Sequence, residues 1–479
     1  MTIAYKAGEE PRHKFFVYQQ ALESLETKKK KQLFKIITYI IDSFNNALYT
    51  DLLKGFSLLN SFIRANDYPI ELLNEHKFNQ LFNEFFHIPQ FQPFFENVLR
   101  PLNILVATSK FDITPFENTD FFLFFIENVI IFLKEKSNGI EFLSNIIYLS
   151  NEPILIFMQN GVLSKIIDLF NKETSETVKF SCFKYISSLC KSDPDSSQIL
   201  DEVFPQLFSI LRRSMIEQIN QGMPARFLEY LSVLQERTSS ENIYIILKGI
   251  NISPFIVECG NMVSEEYQQA VFTIVEFFVR FSLLQKNEIS WEHFEFVFSS
   301  EFSDDLVKSF LKMGSILILY QIQYLDPNYE NPFMNLILDT INERSFKVKK
   351  EAFRFLFEYV KLNPSIIVPL VENGFLCCVS QYIEAVGHEL KYTLISTLNY
   401  ILCFYMDNQM HIEFIQAILE DDLLDKITEI DVEDEVPKND HSISNQLAFF
   451  WSNFNEVTKM VQLEVANESF EGNEIDGDS

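Results

Sequence analysis

One regular spacing constrains the fold of this chain more than any other feature. About every 43 residues, a polar residue or a glycine precedes a strongly apolar run. The two clearest copies are FMQNGVLSKIIDLF, which begins at Phe157, and PLVENGFLCCVSQY, which begins at Pro369. Their glycines, Gly161 and Gly374, are 213 residues apart, which is five intervals of about 43 residues. A period of this size is typical of repeats of two or three helices, which bury their apolar faces only by stacking on neighbouring repeats.

The Asn-Gly pair in both copies has two structural interpretations. Asn-Gly between apolar runs usually signals a β-hairpin. Helical periodicity on both sides of the pair favours instead a bend between two helices, since glycine adopts the left-handed conformation that ends a helix. Ten positions follow the register at intervals of 39 to 48 residues, and we predict this bend at each of them. They are Gln32, Lys77, Asp120, Gly161, Glu202, Gly249, Glu288, Asn331, Gly374 and Asp422.

Each unit is predicted to contain a short first helix, a second helix after the bend and a longer third helix. In the third helix SETVKFSCFKYISSLC, apolar residues recur at three- and four-residue steps. The 12 glycines and 16 prolines are few for 479 residues, which favours long helices over a many-stranded sheet. The 50 phenylalanines fall at helical spacing beside Leu and Ile, so we expect them in the core. The predicted fold class is all-α.

The order of these pieces resembles the armadillo repeat, which belongs to the wider armadillo/HEAT class. ILIFMQNGVLSKIIDLF with VKFSCFKYISSLC, and SIIVPLVENGFLCCVSQY with LKYTLISTLNYI, match its short helix, bend glycine, apolar second helix and third helix. EEYQQAVFTIVEFFVRF and VKKEAFRFLFEYV look like third helices, with Ala270 and Ala352 as small residues where helices cross closely. The resemblance implies a right-handed superhelical solenoid of about ten armadillo/HEAT-like helical units, without indicating a subfamily.

The pattern divides the chain into three parts. Residues 1–14 form an N-terminal segment, and residues 15–463 form the armadillo-like helical repeat domain. Within that domain we predict an irregular insertion at about 212–242 and an acidic loop at about 431–440. Residues 464–479 are acidic and poor in apolar side chains, so we expect a disordered tail.

The charge and the apolar runs exclude several classes of partner. The chain has 39 basic and 67 acidic residues, a net charge of −28, and repels nucleic acid and anionic lipid as a whole. We expect no direct nucleic-acid partner. The most apolar runs, which begin at Phe121 and Thr393, are shorter than the ~20 residues needed to span a bilayer, so we expect no membrane span. The N-terminus lacks a secretory h-region and the six cysteines lack metal-ligand spacing, which predicts a cytoplasmic protein, with a nuclear location left open.

The chain lacks the motifs of common catalytic sites. It has no G-x-S-x-G, no phosphate-binding loop and no H-E-x-x-H, and GHELKY at Gly387 lacks the second histidine of a zinc protease. His293 lies between Glu292 and Glu295 on a predicted helix, where a mildly basic surface side chain is the ordinary interpretation. We therefore expect a non-enzyme with no catalytic residue, no cofactor and no metal.

The third helices carry the candidate binding surface. In a superhelix of this class they line a concave groove that serves extended partners. Nuclear-import adaptors that resemble this family place a Trp and, four residues later, an Asn on each third helix. The matching positions here carry other residues, so recognition of nuclear localisation peptides is in doubt. The candidate groove residues are Lys184, Ser188, Phe272, Glu276, Lys350, Arg354 and Glu358.

Two basic stretches leave alternatives open. RSFKVKKEAFR, from Arg344 to Arg354, is either a groove segment for an acidic or phosphorylated peptide or a solvated helix face. In the second case Arg354 pairs with Glu358 at i,i+4. KKKKQLFK, from Lys28, is a nuclear import signal, an anionic-surface contact or the exposed start of a capping helix.

The function that the sequence favours is a non-catalytic scaffold or adaptor that binds protein partners, as extended peptide segments, along the groove. The alternatives are a regulatory subunit of an enzyme such as a protein phosphatase, and a nuclear transport adaptor with non-standard cargo recognition. The sequence indicates neither the partner nor the oligomeric state.

Overall fold

Every regular element in the described part of this computed structural model is a helix. The structure describes residues 10–65, 70–108, 110–117, 119–150, 161–172, 175–191, 198–253, 256–257, 264–284, 289, 294, 297, 302–320, 327–384, 386–419, 422–430 and 442–471. Side chains are described for these residues except 10–26, 119, 198–202, 327–333 and 464–471. The all-α fold class is therefore confirmed.

The described residues form 22 α-helices and four short 3-10 turns. The helices are α1 (Glu10–Asn45), α2 (Tyr49–Ala65), α3 (Glu71–Glu75), α4 (Phe78–Phe86), α5 (Phe95–Val106), α6 (Thr119–Asn128), α7 (Lys136–Leu149), α8 (Val162–Lys172), α9 (Glu176–Leu189), α10 (Gln198–Asn220), α11 (Pro224–Arg237), α12 (Ser240–Leu247), α13 (Glu265–Arg280), α14 (Asp304–Leu319), α15 (Pro327–Glu343), α16 (Phe346–Leu362), α17 (Ile367–Glu372), α18 (Phe375–Tyr382), α19 (His388–Asp407), α20 (His411–Leu419), α21 (Leu423–Thr428) and α22 (Ile443–Glu471). The 3-10 turns are Pro89–Phe94, Thr114–Phe116, Ile130–Phe132 and Pro364–Ile366.

The chain divides into two compact units, and each contains its own row of third helices. The first unit comprises residues 1–216 and 229–247, and the second comprises residues 217–228 and 248–479. In the first unit α2, α5, α7 and α9 pack one on the next, and in the second α13, α14, α16, α19 and α22 do so. The first residues of α2, α5, α7 and α9 are 40 to 46 residues apart, and those of α13, α14, α16 and α19 are 39 to 42 apart. The predicted period is thus confirmed as the spacing of stacked third helices.

Left-handed backbone occurs at five of the nine predicted bends that lie in the described residues. The angle φ is positive at Lys77 (52°), Gly161 (79°), Gly249 (75°), Gly374 (86°) and Asp422 (52°). Four of these residues directly precede a second helix, namely Lys77 before α4, Gly161 before α8, Gly374 before α18 and Asp422 before α21. The bend therefore occurs at part of the register, and the polar residues Lys77 and Asp422 adopt it where glycine is absent.

The bend prediction is wrong at several other positions. Gln32, Glu202 and Asn331 lie inside the long helices α1, α10 and α15, and Asp120 lies in the first turn of α6. Gln and Glu are good helix formers, so a polar residue before an apolar run is equally compatible with an uninterrupted helix. Glu288 lies outside the described residues.

The segment at about 212–242, where we predicted an irregular insertion, is mostly helical. Helix α10 continues to Asn220, and only a short turn around Gly222 separates it from α11. Ser214 and Gln218 are buried in α10, so polar side chains occupy inward positions and hide the apolar periodicity. At the C-terminus the backbone of α22 is helical to Glu471, beyond the boundary at residue 463, while residues 431–441 and 472–479 lie outside the described part.

Phenylalanine fills the core of the first unit, as its spacing predicted. Phe85 stacks on Phe91 with ring centroids 4.4 Å apart and planes within 4° of parallel. Phe86 makes edge contacts with Phe95 and with Phe125, at 5.4 and 5.2 Å. Such pairs contribute about 0.5–1.5 kcal/mol each beyond the burial of apolar area. Because these rings belong to successive repeats, the aromatic core joins neighbouring repeats to one another.

Carboxylates join the N-termini of consecutive third helices. Glu96 accepts a hydrogen bond from the backbone N–H of Glu135, the residue before α7 (2.8 Å). Glu265 accepts from Ser303 before α14 (3.1 Å), and Asp304 accepts from Ser345 before α16 (3.2 Å). A negative charge at a helix N-terminus is favourable because the unpaired N–H groups carry partial positive charge. These bonds hold the third helices of a unit parallel, with their N-termini at one edge.

We predict that Gly374→Ala lowers the free energy of unfolding by about 1 to 2 kcal/mol, because an L side chain is strained at positive φ. A Cβ atom there would have no heavy atom within 4 Å, so the cost is conformational and not steric. The matched control is Gly387→Ala, where a Cβ also meets open space but φ is −70°. Its effect is expected to stay within about 0.5 kcal/mol. Urea unfolding of both variants measures the difference, and equal effects would contradict the role of the bend.

Candidate functional site

The third helices of the second unit present equivalent residues at one-repeat intervals. The fifth residue of each third helix from α13 to α19 is half-buried. The ninth residue of α13, α14 and α16 is exposed or half-buried. We name this set the third-helix face: Gln269, Thr273, Lys308, Lys312, Lys350, Arg354 and Tyr392. Thr273 and Lys312 are 39 residues apart, and Lys312 and Arg354 are 42 apart. The repeat therefore places side chains in rows on a common face.

Phe272 is a core residue and does not line a groove. It is only 1% exposed, and its ring contacts those of Phe294 and Phe310, at 5.9 and 5.5 Å. The exposed residue of this turn is its neighbour Thr273. One residue along an α-helix rotates the side chain by about 100°, so an alignment error of one position moves it from the surface into the core.

Glu276 and Arg280 lie at the edge of the same face. Glu276 pairs with Arg280 on its own helix (2.6 Å) and with Lys312 on α14 (3.0 Å). Its side chain is mostly buried, so these pairs orient the two cations along the surface. The charge of Glu276 thus joins two consecutive third helices.

Lys350 and Arg354 are half-buried and share one carboxylate on the next third helix. Lys350 Nζ is 2.9 Å from Glu389 Oε2, and Arg354 Nη2 contacts Glu389 Oε1. Arg354 Nη1 also contacts Glu351 (3.2 Å). The predicted pairing of Arg354 with Glu358 is wrong, since Glu358 pairs with Lys361 (3.4 Å). Glu358 lies one helical turn from Arg354 on the same helix. Arg354 pairs instead with Glu389, which the adjacent third helix brings next to its guanidinium.

Two further cations of the basic stretch contact groups on other elements of the fold. Arg344 bonds the carbonyl of Phe302 (2.8 Å) and Asp304 (3.3 Å). Lys349 is buried, and its ammonium contacts the hydroxyl of Tyr382 and lies 4.5 Å from the centroid of that ring. Most of this basic stretch therefore joins neighbouring repeats.

Hydrogen bonds from Lys350, and then from Arg354, hold the pKa of Glu389 below its usual range. Hydrogen bonds from Ser345 and Arg344 do the same for Asp304. A carboxylate with a lowered pKa in the folded state stabilises the fold at pH values above its unfolded pKa. Both inter-repeat contacts are therefore weakened by acid.

The candidate residues in the first unit have different environments. Lys184 is half-buried, lies 2.6 Å from Glu141 on the preceding third helix and sits over the ring of Phe180. Ser188 is fully buried and donates to the carbonyl of Lys184 (2.9 Å). Ser188 is therefore not a surface contact, because it takes part in a buried polar cluster.

Arg237 is the centre of that cluster, and the sequence did not reveal it. Its guanidinium, 7% exposed, donates to Ser144 (2.7 Å), to Ser188 (3.2 Å) and to the side-chain oxygen of Asn145 (2.8 Å). It also lies 5.0 Å from the ring centroid of Tyr148. One side chain on α11 thus contacts α9 and, beyond it, α7.

Burial lowers the pKa of Arg237, while the nearby charges of Glu236 and Glu141 act in the opposite direction. The Nε atom lies 3.6 Å from Glu236, which is outside hydrogen-bond distance. The sequence does contain one sign of this buried polar cluster. Ser144 and Ser188 are one period apart, at positions where third helices are otherwise apolar. Lys191 reinforces the same region by donating to three carbonyls at the end of α7, those of Ile147, Tyr148 and Ser150.

The described residues contain no group of three or more His, Cys, Asp or Glu side chains arranged to hold a metal ion. In the same part of the chain, no single helix is long and apolar enough to cross a membrane. One pair of helical segments, Pro364–Glu372 and Phe375–Tyr382, is together long and apolar enough for a span, but the chain bends by 76° between them.

No family model matches the chain, and no curated protein matches it. Solved structures with some similarity include an engineered protein at 10% identity, covering 85% of this chain and 95% of its own, with a TM-score of 0.48. A second engineered protein is 10% identical, covers 69% and 97%, and has a TM-score of 0.22. A designed armadillo repeat protein is 14% identical, covers 67% and 94%, and has a TM-score of 0.22. Identities and TM-scores this low do not show a family, and the fold class rests on the bends and third helices described above. Their register shows an all-α fold built from stacked helical repeats.

We predict that Arg237→Ala lowers the free energy of unfolding by about 3 kcal/mol, because two hydroxyls and an amide oxygen lose their buried donor. The matched control is Arg213→Ala on α10, where an exposed guanidinium bonds Asn171 (2.9 Å) and lies over Phe170. That change is expected to cost less than about 1 kcal/mol. Chemical unfolding of the two variants is the measurement, and similar losses would contradict a central role for Arg237.

We predict that Glu389→Gln lowers stability at neutral pH, by less than about 1 kcal/mol because Glu389 itself is largely exposed. The folded pKa of Glu389 is lowered, so its contribution is present above the unfolded pKa of about 4.3 and is lost as pH falls through the folded pKa. The variant and the wild type should therefore converge in acid. Urea midpoints measured from pH 7 to pH 3 test this, and a constant difference at all pH values would contradict it.

Proposed function

We propose that the protein is a non-catalytic scaffold that binds other proteins along its third helices. The observation that carries this proposal is the third-helix face, where equivalent exposed positions recur on consecutive parallel helices. Stacked repeats commonly use such surfaces to bind elongated partners, because every repeat adds one similar contact.

The geometry of the face suits an extended segment. Packed helices have axes about 8–10 Å apart, and an extended chain rises about 3.3 Å per residue. A peptide that crosses the third helices therefore meets a new helix about every three residues. Its alternate side chains would reach the rows that contain Thr273, Lys312 and Arg354.

The charge of the face suggests which segments it binds. Four of its seven side chains are cationic, namely Lys308, Lys312, Lys350 and Arg354, although the chain carries a net charge of −28. Glu276 and Glu389 hold three of these cations in position, which limits the entropy lost when a partner binds. Lys308 has no ion pair with any described side chain. We propose that the partner carries carboxylates or phosphates at intervals, since these groups accept charge-assisted hydrogen bonds from Lys and Arg.

Affinity purification with mass spectrometry tests the proposal. The wild-type chain is compared with Thr273→Glu/Lys308→Glu, which reverses one charge and adds another on the third-helix face. The control is Thr177→Glu/Lys172→Glu, which makes the same chemical changes at exposed positions of α8 and α9. We expect partners of the wild type to fall at least about tenfold with the face variant, a loss of about 1.4 kcal/mol, and to persist with the control.

The outcomes separate the possible functions. Equal recovery with all three chains would contradict binding through the face. Recovery of one catalytic protein at equal stoichiometry would instead support a regulatory subunit of an enzyme. If the wild type recovers nothing beyond an empty affinity tag, the scaffold proposal itself is wrong.

A further inference from the structure

Two residues of the third-helix face already hold a carboxylate, and we name them the cation pair: Lys350 and Arg354 on α16. Lys350 Nζ lies 2.9 Å from Oε2 of Glu389, and Arg354 Nη2 contacts Oε1 of the same group. The two oxygens of one carboxylate are therefore divided between two donors that lie one helical turn apart. Charged donors in this arrangement suit any group with two adjacent oxygens, a carboxylate and a phosphate alike.

Glu389 is exposed and reaches the cation pair from the next third helix. It lies in the first turn of α19, and its side chain is 66% exposed, against 33% for Lys350 and 35% for Arg354. A glutamate this exposed has other rotamers open to it, so its carboxylate can turn into water while the backbone stays in place. Ion pairs of this exposure shift an equilibrium by a factor of about five at most. An incoming anion can therefore take the place of Glu389 at a small cost.

The charges around the cation pair show what remains when Glu389 turns away. Arg354 also contacts Glu351 on its own helix (3.2 Å), and the side chain of Glu351 is only 13% exposed. While Glu389 is in contact, two cations face two carboxylates and the charges balance. When Glu389 leaves, the cation pair and Glu351 together carry one positive charge. The position of Glu389 then attracts another anion.

Glu276, the other carboxylate at the edge of the face, is held more firmly. It pairs with Arg280 (2.6 Å) and with Lys312 (3.0 Å), and its side chain is only 12% exposed. A carboxylate this buried loses its solvation unless it stays paired, so we expect it to remain with its cations when a ligand binds. Of the two carboxylates, Glu389 is therefore the one that a ligand can replace.

We propose that Glu389 is a built-in competitor of the acidic partner: it occupies the cation pair in the free protein and leaves when a carboxylate or phosphate of the partner binds there. This inference rests on the proposed function. Glu389 keeps the two cations ordered until the ligand arrives, and its departure is a step of binding. A site that is open for only a fraction of the time binds every ligand more weakly by that same fraction. Glu389 therefore lowers the affinity for carboxylates and phosphates by one common factor.

Fluorescence anisotropy with two labelled peptides tests this inference. Each peptide is about 12 residues long, enough to cross about four third helices, with glutamate at every third position in one and phosphoserine in the other. The full-length chain is compared with Glu389→Gln, which removes the competing charge. The matched control is Glu384→Gln, which removes the same charge from an exposed residue between α18 and α19.

We expect Glu389→Gln to bind both peptides about three- to fivefold more tightly than the wild type, and by the same factor for each. The factor is common because the substitution changes the competitor and not the ligand. The control should stay within about 1.5-fold of the wild type, because a distant exposed charge is screened by salt. Circular dichroism should show the same helix content in all chains.

A third variant, Lys350→Gln/Arg354→Gln, separates failure of this inference from failure of the proposed function. If it binds more weakly than the wild type while Glu389→Gln binds no better than its control, Glu389 does not compete, and the proposed function still stands. Weaker binding by Glu389→Gln would likewise overturn the inference, since it would show that Glu389 only positions the cations. If the wild type binds neither peptide at about 1 mM, or the third variant binds as the wild type does, recognition of acidic segments by the face is itself wrong.

Discussion

The stacking of third helices in a common register is the interaction on which the rest of the structure depends. Helices of the first and second positions vary in length and are sometimes continuous, as in α10. The third helices recur at 40 to 46 residues from α2 to α9 and at 39 to 42 residues from α13 to α19. Their apolar sides form the core, their N-termini are joined by carboxylates, and their remaining side faces solvent. The candidate binding surface exists because the same positions repeat on consecutive helices.

Polar contacts decide how neighbouring third helices align, while apolar burial supplies most of the stabilisation. The carboxylates of Asp304 and Glu389 each contact the next or the preceding third helix, so they specify register at the surface. Arg237 does this in the interior of the first unit, where it bonds residues on two other helices. Exposed pairs contribute little to stability, and a buried guanidinium is costly to desolvate. Their main effect is to favour one alignment over others that bury a similar apolar area.

Periodicity predicted the fold well, and predicted the surface less well. The all-α class and the period follow from the sequence, because apolar spacing is a local property. The bends do not follow in the same way, since polar register residues are left-handed at Lys77 and Asp422 but helical at Gln32. The side-chain partners do not, because they depend on which residue the next repeat brings within reach. Phe272 was placed one position from the exposed Thr273, and the carboxylate that Arg354 shares with Lys350 lies on another helix. Arg237 was missed because a single buried cation does not recur at the repeat period.

The distance between equivalent residues on the third helices tests the central claim most directly. Spin labels introduced as unnatural amino acids at Thr273 and Arg354 lie on helices two steps apart, which predicts about 20 Å between backbones at 8–10 Å per helix pair. Pulsed electron resonance should therefore give one narrow distribution near that value, allowing for the length of the labels. A broad distribution, or a distance beyond about 35 Å, would show that the third helices are not stacked in register and would contradict this account.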